Sequence, residues 1–122
     1  MRVMVLVKAT ADSEQGFKHT AEEQAMLEEM GKYNDALAEA GVLVFADGLQ
    51  PSSAGRRVAF DGPSRTVSEG PFGPADDLVA GFWLWEVNDI DEAVAWVKRC
   101  PNPMPGPSVI EIRPLYEAED VA

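Results

Sequence analysis

One cysteine, Cys100, and one histidine, His19, are all this sequence has of either residue. A lone thiol forms no internal disulfide and no cysteine-rich zinc site. One imidazole among scattered carboxylates gives no metal-ligand spacing, so neither a metal nor any other cofactor is expected. Basic residues are scarce as well. Lys and Arg number 10 against 21 Asp and Glu, a formal net charge of -11. That sign repels phosphate backbones and anionic lipid, which removes nucleic acid and membrane surfaces from the expected partners. No apolar run reaches membrane-spanning length. The apolar start, Met1 to Val7, is short and lacks a small-residue cleavage site, so a cytoplasmic location is expected. The glycines in Asp47-Gly48 and Asp61-Gly62 lack the strand-to-helix setting and the lysine of a phosphate loop.

What is present is an ordinary globular composition, 46% hydrophobic and 25% charged in 122 residues. That is enough for one domain with a real core and too little for two. Residues 2 to 8 alternate Val3, Val5 and Val7 with Met4 and Leu6, a strand apolar on both faces. Thr20 and Glu23 have capping-box spacing, and Met26, Met30, Tyr33, Leu37 and Ala40 form a helical stripe that Gly41 ends. Gly31, inside that helix, costs it about 1 kcal/mol relative to alanine, which close packing on a sheet would explain. A strand is expected over 42–49. Two short strands, 56–60 and 65–68, flank Asp61-Gly62-Pro63-Ser64 as a hairpin. The segment 78–87 is the strongest strand. Asp89 and Glu92 then open a second helix, whose face is read as Ile90, Ala93, Val94 and Val97. A last strand covers 109–115, and an acidic tail over 117–122 is expected to fray.

The order β, α, β, hairpin, β, α, β predicts an α+β, ferredoxin-like split βαβ domain, with helix-linked strands as parallel neighbours. Two helices cover one face of such a sheet. Phe82-Trp83-Leu84-Trp85 puts large apolar groups on both faces, so a homodimer through the uncovered face is expected.

Several short motifs in register carry a family resemblance. They are Gly48-Leu49-Gln50-Pro51-Ser52-Ser53, Arg65-Thr66-Val67-Ser68-Glu69-Gly70-Pro71-Phe72, and Gly81-Phe82-Trp83-Leu84-Trp85-Glu86-Val87. Asp91-Glu92-Ala93 with Trp96, Arg99, Cys100 and Pro101, and Glu111-Ile112-Arg113-Pro114-Leu115, complete the set. The chain resembles YCII-related proteins of the DGPF type over nearly its whole length. The resemblance implies a small bacterial cytosolic protein, one domain over 1–116, and a dimeric α+β barrel with an inserted hairpin. It also implies a regulatory association with sigma factors for some members. Where the DGPF motif has its acid, this chain has Glu69. Other YCII-like members have a His-Asp pair, with one residue near the first helix and one after the second. Here His19 is the sole histidine, and Arg99-Cys100-Pro101-Asn102 contains no aspartate.

Two functions follow. The first is a non-enzymatic dimeric module that binds a small ligand or a protein partner. The second is an enzyme acting on a small aromatic or apolar compound, with Glu69 or Glu111 as acid or base and Arg113 as anion clamp. Either would use a cleft on the dimer side of the sheet, with Lys8, Gln50, Ser52, Glu69, Phe72, Trp83, Glu111 and Arg113 as the candidate residues. If Ile110 and Ile112 face the helices, Glu111 and Arg113 must face the cleft. The plainer account of that pair is a cross-strand salt bridge at the interface or rim. Glu69 to Phe72 reads more simply as a turn that positions Phe72. His19 reads as an exposed loop residue. Cys100 lies at a helix C-terminus, where the dipole disfavours a thiolate, and reads as a packing residue.

Overall fold

A computed structural model describes residues 1–122. The elements in chain order are β1 (Arg2–Lys8), α1 (Ala21–Glu39), β2 (Leu43–Gly48), β3 (Arg56–Asp61), β4 (Ser64–Glu69), β5 (Val79–Glu86), α2 (Ile90–Lys98), β6 (Ile110–Pro114) and α3 (Ala118–Val121). Single 3-10 turns lie at Ser13–Gln15, Ser52–Ala54 and Ala75–Asp77.

Both long helices begin where their caps direct. Thr20 Oγ1 accepts the Glu23 amide at 3.2 Å, and Asp89 Oδ1 accepts the Glu92 amide at 2.8 Å. These bonds satisfy donors that the first helical turn leaves orphaned. The Glu23 carboxylate turns back past the cap residue and accepts the Lys18 and His19 amides, both at 2.9 Å. Gly41, at φ +75°, ends α1 in the left-handed region.

The main sheet has the order β2-β5-β1-β6, with every neighbouring pair antiparallel. The fold is α+β, and this order is compatible with a ferredoxin-like arrangement. The helix-linked strands are not neighbours. β1 and β2 run parallel with β5 between them, and β5 and β6 run parallel with β1 between them. Each crossover thus skips one strand, and an antiparallel strand fills the gap. β3 and β4 pair only with each other.

The core lies between the sheet and the helices. Val3, Val5, Val7, Trp83 and Trp85 meet Tyr33 and Leu37 of α1 and Ala93 of α2. Both indoles point to this side, because residues two apart on a strand share a face. Trp83 Nε1 donates to Asn34 Oδ1 at 2.7 Å, and its ring meets Tyr33 edge-on at 6.0 Å. The Tyr33 hydroxyl donates to the Trp96 carbonyl at 2.5 Å, and burial raises its pKa from the ordinary value. Trp85 is fully buried, and its indole N–H has no acceptor. That orphan costs about 1–3 kcal/mol, offset by burying the large ring.

Three local expectations change. The buried side of α2 runs through Ala93, Trp96, Val97 and Cys100, while Ile90 and Val94 are exposed. The tail forms one helical turn, capped by Glu117, whose carboxylate also grips Arg2 at 3.1 and 3.2 Å. Hydrogen bonding to Arg2 is the main cause that lowers the Glu117 pKa. Finally, Gly31 packs against nothing: a Cβ there would meet no atom within 4 Å. Gly31→Ala is therefore expected to stabilise the fold by about 0.5–1 kcal/mol in urea denaturation. A destabilised variant would show that the backbone at residue 31 needs glycine for another reason.

Candidate functional site

The face of the main sheet away from the helices is uncovered. Strand register fixes its membership, since paired residues point the same way. Met4 pairs with Leu84 and Arg113, Leu6 pairs with Phe82 and Glu111, and Arg2 pairs with Glu86. Phe45 joins from β2, paired with Leu84, its ring 5.8 Å from that of Phe82. The centre of this face is thus Met4, Leu6, Phe45, Phe82 and Leu84. Arg2, Lys8, Asp47, Glu86, Glu111 and Arg113 stand around it.

The chain exposes much surface for its size. Only 12 of 122 residues are buried. A compact monomer of this mass exposes about 6,400 Å². This chain exposes 8110 Å², roughly 1,700 Å² more than the scaling allows.

At one end of the open face, where β1 leaves the sheet and β6 enters it, lies an open cleft of about 450 Å³. Lys8, Thr10, Asp76, Ser108 and Glu111 supply its polar groups. Arg113, two residues along β6 on the same face, donates to Glu111 Oε2 at 3.2 Å. This is an ion pair along one strand, where the simpler sequence reading has a pair across strands. A second cleft of about 640 Å³, at the far end around Arg2, Glu86 and Glu117, is lined by the ion pair that holds the tail.

The eight sequence-derived candidates do not converge. Lys8 and Glu111 share the first cleft, with Arg113 beside them. Trp83 lies under the helices, 5% exposed, and has no part in the open face. Glu69 is at the end of β4, largely exposed and paired with Arg56 at 3.7 Å. Gln50 is exposed in the loop after β2. Ser52 and Phe72 form a separate junction. The Phe72 amide donates to Ser52 Oγ at 2.9 Å, and the Ser52 amide and hydroxyl both donate to the Glu14 carboxylate, the amide at 2.8 Å. The Phe72 ring stacks under the Arg57 guanidinium at 4.2 Å. Glu69 is thus separated from Arg113, while Glu111 and Arg113 come together as an ion pair that engages both groups.

A family model described as the YCII-related domain matches residues 1–119. The chain belongs to the YCII-related domain family. An uncharacterized protein of Rhizobium meliloti (strain 1021) is 26% identical over 94 residues, covering 77% of this chain and 76% of that relative.

In this YCII-related domain His19 is exposed, at φ +57°, and its amide is held by Glu23. No aspartate follows α2 to pair with it. Cys100 packs against the core, and burial pushes its thiol up to about 11, which keeps it neutral and weakly nucleophilic at neutral pH. Glu14, Thr10, Asp76 and Ser108 were not legible as site residues. They are common polar types in loops, and only the fold brings them to the cleft and the junction. No helix of this YCII-related domain is long and apolar enough to cross a membrane.

Proposed function

We propose that this chain works as a homodimer, a dimeric α+β barrel of the DGPF type, that binds a small molecule at the polar end of its open sheet face. The open face is the observation that carries the reading. Five large apolar side chains share one side of the sheet with no helix over them. The surplus surface of roughly 1,700 Å² matches what one partner of an obligate homodimer buries, about 1,000–2,500 Å². A second copy over this face would also close the cleft.

The cleft volume of about 450 Å³ lies in the usual range for small-molecule sites. Arg113 offsets Glu111, and Lys8 balances Asp76 in charge, so the Lys8 ammonium and the hydroxyls suit a polar head with no more than one negative charge. The apolar centre of the sheet suits an aliphatic or aromatic body. A small monocarboxylate fits that description. Binding, and not turnover, is the favoured reading, because Glu69 is paired away on β4, and Glu111 and Arg113 of the enzymatic alternative are engaged with each other.

The test is a melting series against aliphatic and aromatic monocarboxylates at millimolar concentration. At least one is expected to raise the melting temperature by a few degrees in a saturable way. Lys8→Met is expected to abolish that rise while melting near the wild-type temperature without ligand. A panel that moves nothing removes the ligand-binding reading.

A further inference from the structure

We infer that β3 and β4 form an arm that one protomer lays, apolar face inward, on the body of its partner. The inference rests on the homodimer proposed above and adds a second contact to it.

All twelve residues of the two strands are exposed. Yet the arm is patterned as a half-buried sheet. Register places Val58 opposite Val67 and Phe60 opposite Arg65 on one face, with the Arg56–Glu69 pair at its base. The other face carries Arg57, Ala59, Asp61, Ser64, Thr66 and Ser68. Alternation of this kind marks a strand with one face packed on something. Within the chain only the Arg65 guanidinium lies over this face, 4.5 Å from the centre of the Phe60 ring, and Val58, Phe60 and Val67 remain 50%, 73% and 62% exposed. A lone two-stranded sheet is also marginal in water and needs a third strand or a packed surface.

The base of the arm is built to hold a direction. The Gly70 amide donates to the Gly55 carbonyl at 3.2 Å across the two strand ends. Below it, Glu14, Ser52 and Phe72 tie the flanking loops together. A segment so anchored projects from the body in a set orientation.

Charge and area identify the occupant as a second copy of this chain. The arm holds three arginines, Arg56, Arg57 and Arg65, against Asp61 and Glu69, a net +1. The rest of the chain therefore carries -12, against a total of -11. A second copy of this chain therefore presents an acidic body to the arm's arginines, a complementarity of sign between arm and body. The surplus surface includes both the open sheet face and the arm, and an obligate dimer can bury both.

Limited trypsin digestion and dilution sedimentation of the full chain test this. Arg65 lies at the tip of the arm and reports whether the tip is covered. The wild-type dimer is expected to resist cleavage there, and the monomeric Phe82→Asp chain to be cut at least ten times faster. A triple variant, Val58→Thr, Phe60→Thr and Val67→Thr, keeps strand propensity and leaves the base intact. It is expected to dissociate at least ten times more readily than wild type. A wild-type dimer cut at Arg65 as fast as the monomer, or a triple variant that dimerises as tightly as wild type, overturns the arm contact and leaves the dimer standing. A wild-type chain that is monomeric overturns both.

Discussion

A Phe82→Asp chain is expected to sediment as a single species near 13.2 kDa, where the proposed homodimer of the wild type is expected to run at twice that mass. Phe82 lies near the middle of the uncovered face, opposite Leu6 and beside the ring of Phe45. A carboxylate there is well solvated in the free chain. Over that face a two-fold partner would bury it unpaired, and symmetry places the lesion in the interface twice. A buried, unpaired charge costs several kcal/mol, so about 4 kcal/mol is a cautious figure. At 1.4 kcal/mol per tenfold, the dissociation constant rises roughly a thousandfold. The fold itself should be spared, because the core lies on the other side of the sheet and Phe82 is not in it. Far-ultraviolet circular dichroism and the Trp83 and Trp85 fluorescence are therefore expected to match wild type. A variant that stays dimeric would move the interface off the sheet. A wild type that runs at 13.2 kDa at tens of micromolar would remove the dimer altogether.

Period and capping made much of this molecule legible. The alternation in β1 assigned Val3, Val5 and Val7 to one face before any fold was known, and the register bears that out. Thr20 and Asp89 marked the first residues of both helices, because a side-chain cap is a local device that needs no tertiary contact. Glu111 and Arg113 fell on the open face for the same reason of period. What was not legible depended on contacts between distant residues. Two stripes on α2 have equally good helical spacing, and the sheet selects the one with Trp96, whose carbonyl receives the Tyr33 hydroxyl. Trp83 was placed in the cleft on its chemistry, although its spacing from Trp85 already required the two indoles to share a face. Glu14 and Ser52 are 38 residues apart, and nothing in either segment announces the other.

The same junction gives the second large effect. Gly70→Ala is expected to lower stability by at least about 2 kcal/mol, a severe cost for an alanine on the surface of a loop. A Cβ at residue 70 would lie 1.8 Å from the Ser52 carbonyl oxygen, 2.7 Å from its carbon and 3.2 Å from Ser53 Cα. These are main-chain atoms, so no side chain can swing aside to relieve the overlap. One of the two loops has to move. Ser52 is held by Glu14 through its amide and hydroxyl, and its Oγ receives the Phe72 amide. Displacing it therefore breaks hydrogen bonds on both sides of the junction, beyond the steric cost alone. Gly55→Ala is the matched control. Its Cβ would come only to 3.3 Å from the same carbonyl oxygen, a contact that a shift of a few tenths of an ångström relieves. Urea denaturation should thus order the three chains as wild type, Gly55→Ala and then Gly70→Ala. If the junction aims the arm, Gly70→Ala should also expose Arg65 to trypsin in a chain whose tryptophan core still reports a native environment. A Gly70→Ala chain as stable as Gly55→Ala would mean that the two loops do not meet as closely as Ser52 and Gly70 do here.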